Sequence, residues 1–76
     1  MKMADRKLPF DCLILDSEPQ VVTNRFSGQS CTLEPDAIAV YDCIIGAEMF
    51  GDYKRMQKGL NWFRKYFPEE YMVLLD

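Results

Sequence analysis

Only Gly51 and Asp52 separate two segments patterned as helices, and that short link limits the chain more than any other feature. Two helices joined by two residues must form a helical hairpin or a sharp corner. Each boundary carries its own signal. Pro35 suits a first helical position, where its missing N–H is no loss. Asp36 complements the positive end of the helix dipole. Leu33 and Ile38 stand at the spacing of a hydrophobic staple. The first helix is therefore expected from Pro35 to Met49 or Phe50, with Gly51 ending it. Asp52 reads as the N-cap of a second helix, from Tyr53 to about Tyr66, that stops before Pro68. The remaining tail, rich in apolar residues, is expected to dock as a further helical turn opening at Pro68-Glu69-Glu70.

The first third leans towards β-structure. Phe10 to Leu15 is apolar apart from Asp11 and reads as a short strand. Asp16-Ser17-Glu18-Pro19 reads as a turn. Val21 begins a β-type run that reaches Phe26, Ser27-Gly28 signals a turn, and Cys31 to Leu33 returns, giving a hairpin from Val21 to Leu33. With 76 residues the chain forms one domain around one core, with a β-leaning part (1–34) and a helical part (35–76). The expected fold is α+β: a small N-terminal β element, strand plus hairpin, packed on a two-helix hairpin with a docked C-terminal turn. A core this small gives only marginal stability, which the large aromatic side chains partly offset.

The two helices differ in kind. At 100° per residue the second is amphipathic, with Tyr53, Met56, Leu60, Phe63 and Phe67 on one face. Lys54, Gln57, Lys58, Asn61, Arg64 and Lys65 lie opposite, with Arg55 and Trp62 at the edge. Five of the nine cationic residues sit on this helix, and no acid interrupts them. In a chain of net charge −3 such a face is either solvated, balanced by Asp11, Asp16 and Glu18, or a contact surface for an acidic partner. Lys54, Lys58, Arg64 and Lys65, with Trp62 as an apolar anchor, are the candidate contacts. The first helix is apolar almost all round, so it belongs at the centre of the fold, and part of it could also meet a second chain. Glu48, on its apolar side, is expected to escape to solvent or pair with a cation.

The chain contains no histidine, and Cys12, Cys31 and Cys43 show no paired metal-ligand spacing. No nucleophile–base, phosphate-loop or calcium-loop pattern is present. The expectation is a protein that is not an enzyme, with no metal, no cofactor and three reduced thiols. No stretch approaches the roughly 20 apolar residues of a membrane span, and no signal peptide is legible, so the expected location is cytoplasmic.

Asn24-Arg25-Phe26-Ser27-Gly28 reads as an ordered turn held by its own side chains, with Phe26 buried, Gly28 at positive φ and Arg25 as the contact residue. This segment, together with Ala39-Val40-Tyr41-Asp42, Gly59-Leu60-Asn61-Trp62-Phe63-Arg64 and Tyr71-Met72-Val73-Leu74-Leu75-Asp76, resembles small uncharacterised proteins of tailed bacteriophages, including marine ones. The resemblance covers residues 20–76 and carries no assigned activity. It implies expression in the cytoplasm of an infected bacterium and favours a binding protein that acts on a host or phage protein. The alternatives are a nucleic-acid-associated protein using the basic helix, and a structural or virion component that self-associates through the first helix.

Overall fold

The computed structural model describes residues 7–15 and 17–75. Residues 1–6, Asp16 of the expected turn and Asp76 lie outside the described residues. The elements run β1 (Gln20–Thr23), β2 (Ser30–Leu33), α1 (Pro35–Phe50), α2 (Tyr53–Tyr66) and α3 (Pro68–Leu74). The strands form an antiparallel hairpin in which Gln20 faces Leu33 and Thr23 faces Ser30. The fold is α+β, with the hairpin packed on the helices through β2.

Local chemistry accounts for the helix ends. Pro35 opens α1, and the buried Asp36 accepts the Ala37 N–H at 2.9 Å. At the other end Gly51 takes φ 75°, a conformation that suits glycine. Its N–H donates to the Glu48 carbonyl and the Asp52 N–H to the Ala47 carbonyl, the Schellman pattern. Asp52 then caps α2, its carboxylate accepting the Arg55 N–H at 3.2 Å. One residue thus closes α1 and opens α2. Phe67 does the same between α2 and α3, donating to the Phe63 carbonyl and accepting from the Tyr71 N–H. The tail docks as the seven-residue helix α3, burying Leu74.

The core comprises Leu33, Ala37, Ile38, Val40, Ile44, Trp62, Phe63, Phe67 and Leu74. The chain's own elements cover α1 as far as Ala47; within that stretch only Asp42 is exposed. The two helices pack face to face; Phe63 and Phe67 of the expected face lie in the core with Met56 and Leu60 packed against it, but the face is rotated to take in Gly59 and Trp62. Gly59 is buried there, and a Cβ on it would lie 2.5 Å from Cγ1 of Ile44. Leu60 is only half-buried and Tyr53 is exposed. The glycine permits the close approach, and the helix turns its Gly59–Phe63 side inward to use it.

The expected strand from Phe10 to Leu15 does not form. Leu8, Pro9, Phe10 and Cys12 are half-buried, whereas Lys7, Asp11 and Leu13 to Leu15 are exposed. No strand among the described residues pairs with this segment. Side chains of α2 take the carbonyls instead. The Trp62 indole N–H donates to the Lys7 carbonyl and the Arg55 guanidinium to the Asp11 carbonyl, both at 2.7 Å. Residues 7–12 therefore form a strap, with the Phe10 ring 4.1 Å from the Arg55 guanidinium carbon.

Candidate interaction surface

Packing one side of α2 on α1 and the strap sends its cations the other way. Lys54, Lys58, Arg64 and Lys65 are all exposed, as expected for one solvent-facing side. Asn61 organises the middle of this face: its side-chain oxygen accepts from Gln57 at 3.0 Å and from Arg64 at 2.7 Å. The Arg64 guanidinium carbon also lies 5.5 Å from the centre of the Tyr71 ring, and the Lys65 ammonium 5.2 Å from that of Tyr66. These contacts steady the far end of the face, while Lys54 and Lys58 lie at its near end.

The fifth cation of the helix behaves differently. Arg55 is half-buried and held by the strap, through the Asp11 backbone carbonyl and the Phe10 ring. With Phe10, Asp52, Lys54 and Lys58 it lines a shallow hollow of about 190 Å³.

Two expected contacts change place. Trp62 is not an edge anchor: it is 6% exposed, its ring stacked among Phe63, Tyr66 and Phe67 with centroids 5.5–6.0 Å apart. Burying an indole requires a partner for its N–H, and the strap supplies one. Arg25 is exposed, but on the hairpin tip, a separate element from the α2 cations. The tip is ordered as expected. Asn24 accepts the N–H groups of Phe26 and Ser27 through Oδ1 and donates to the Val73 carbonyl at 2.9 Å, clamping the turn to α3. Gly28 takes φ 79°. Phe26, however, is 92% exposed, because the turn carries it past the core, with the Arg25 guanidinium carbon 5.9 Å from its ring centroid.

The surface also holds a group that periodicity did not single out. At the α1–α2 corner Met49, Phe50 and Tyr53 are 78%, 89% and 66% exposed. Met49 and Phe50 continue a helix that is apolar nearly all round; that no element among the described residues covers its last turn is invisible in the sequence.

The three cysteines are free and half-buried. Burial, with the Cys43 thiol facing it, pushes the Cys12 thiol up to about 11, and burial with the nearby Glu70 carboxylate raises that of Cys31. Both thiols stay protonated at neutral pH. No helix among the described residues is long and apolar enough to cross a membrane. No known protein family matches the chain, and neither a curated protein nor a solved structure matches it.

Proposed function

We propose that this protein is a non-catalytic interaction module that presents the outer face of α2 to an acidic surface of a protein partner. The observation that carries the reading is the common exposure of Lys54, Lys58, Arg64 and Lys65 on a helix whose other side is packed. Like charges at i and i+4, such as Lys54 and Lys58, weaken an isolated helix, and an acidic partner would relieve that repulsion. In the setting that the phage resemblance implies, the partner is a host or phage protein in the bacterial cytoplasm. The nucleic-acid reading has less support, because Trp62, the aromatic suited to stacking on bases, is in the core.

The test compares capture from bacterial lysate by the wild-type protein and by a Lys58→Glu/Lys65→Glu variant, with mass spectrometry of what is retained. The wild type should hold a discrete protein that the variant loses, with unchanged circular dichroism. Retention of the same set by both would rule the basic face out. Binding to DNA or RNA that falls steeply with salt would replace the protein partner by a nucleic acid.

A further inference from the structure

The near end of the basic face meets the exposed apolar corner, and the two together describe a partner more closely than charge alone. We infer that the α1–α2 corner docks an acidic segment of the partner protein in two parts. Met49, Phe50 and Tyr53 take one bulky apolar side chain, and the hollow lined by Lys54, Arg55 and Lys58 takes a neighbouring carboxylate. This inference rests on the reading of the basic face as a protein contact.

Three observations carry it. The first is exposure: three large apolar side chains, two of them aromatic, project to solvent within one corner of a small fold. The second is rigidity. Gly51 and Asp52 lock the corner through the paired bonds to Glu48 and Ala47 and the cap on Arg55, so docking orders little new backbone. The third is charge complementarity. The hollow beside the corner presents two exposed ammonium groups and a guanidinium already oriented by Phe10 and the Asp11 carbonyl. Its own carboxylate, Asp52, is engaged by the Arg55 N–H.

The same geometry favours a discrete segment over an extended anionic surface. A bilayer or a duplex would press its phosphates against the exposed Glu48 and Asp52 as well as the lysines. A peptide can set its carboxylate in the hollow and its apolar side chain on the corner. Hot spots of this kind combine an aromatic anchor with flanking charge.

The probe is a random linear peptide library selected on the immobilised full chain. Enriched peptides are then measured by fluorescence anisotropy against wild type and the Phe50→Ser, Lys58→Glu and Lys65→Glu variants. Enrichment of aspartate or glutamate beside a bulky apolar residue is expected. Affinity should fall about tenfold or more for Phe50→Ser and Lys58→Glu, and about twofold for Lys65→Glu. No enrichment, enrichment without acids, or unchanged affinity for Phe50→Ser overturns the corner. If Lys65→Glu abolishes binding while Phe50→Ser does not, the corner fails and the basic face stands. If no variant changes the affinity, both fail. Sedimentation with phosphatidylglycerol vesicles, or self-association lost on Phe50→Ser, would give the corner to a membrane or to a second copy and overturn the proposal.

Discussion

The two long helices divide the labour of this protein. Up to Ala47, α1 exposes only Asp42 and is apolar on nearly every side; α2 has one packed side and one solvated side. The difference shows what each can do. A helix covered by its neighbours holds the fold together and has little surface left to recognise anything. A helix packed on one side only can carry charge outward at little cost to stability. The exposed end of α1, at Met49 and Phe50, is where the two roles meet.

The largest expected effect lies on the packed side of α2. Phe63 is fully buried there, and Phe63→Ala should destabilise the protein by about 3–5 kcal/mol in chemical denaturation. A loss below about 1 kcal/mol would mean that α2 does not depend on its inner side, and the contrast with α1 would collapse.

The crossing at Gly59 and Ile44 sharpens the comparison. Gly59→Ala adds helix propensity of about 1 kcal/mol, but overpacking against Ile44 costs about 1–3 kcal/mol. The net effect should be destabilising. In an Ile44→Ala background the clash is gone, and the same change should be neutral or stabilising. Equal effects in both backgrounds would show that the helices do not meet there.

Trp62 ties α2 to the strap, and α1 has no part in that bond. Trp62→Phe removes the N–H that serves the Lys7 carbonyl, at about 1–2 kcal/mol. Hydrogen exchange should show faster opening of residues 7–12 with α1 unchanged. Uniform loosening of the whole chain would contradict the strap as a local attachment.

A smaller effect concerns Cys12. Its thiol is raised from 9.0 to about 11, so the folded state favours the neutral form. That contribution is complete below about pH 9 and is lost as pH rises towards 11. Stability should fall through this window in the wild type and less so in Cys12→Ala, measured by denaturation across the pH series.

The smallest effect is expected on the outer side of α2. Lys58→Glu and Lys65→Glu should each change stability by under about 0.5 kcal/mol, since both side chains are exposed. A larger loss would mean that the basic face helps to hold the fold.

What the sequence determined by itself is everything set by neighbours a few residues away. Pro35, Gly51, Asp52 and Pro68 mark the helix ends, and Asn24 with Gly28 marks the hairpin turn, because capping and positive φ act within one turn of chain. The charged side of α2 was legible for the same reason: period alone places Lys54, Lys58, Arg64 and Lys65 together. Tertiary packing set the rotation of the opposite side: Phe63 and Phe67 of the periodic apolar face are in the core, but Gly59 and Trp62 join them there while Leu60 is only half-buried. Gly59 has no side chain to register in an apolar pattern, yet its bareness lets Ile44 approach and carries Trp62 into the core. It also decided that Phe10 to Leu15 would be a strap, since a strand needs a partner backbone that local sequence does not specify. The exposure of Phe26, Met49 and Phe50 depends on where other elements stop, and that is a property of the assembled fold.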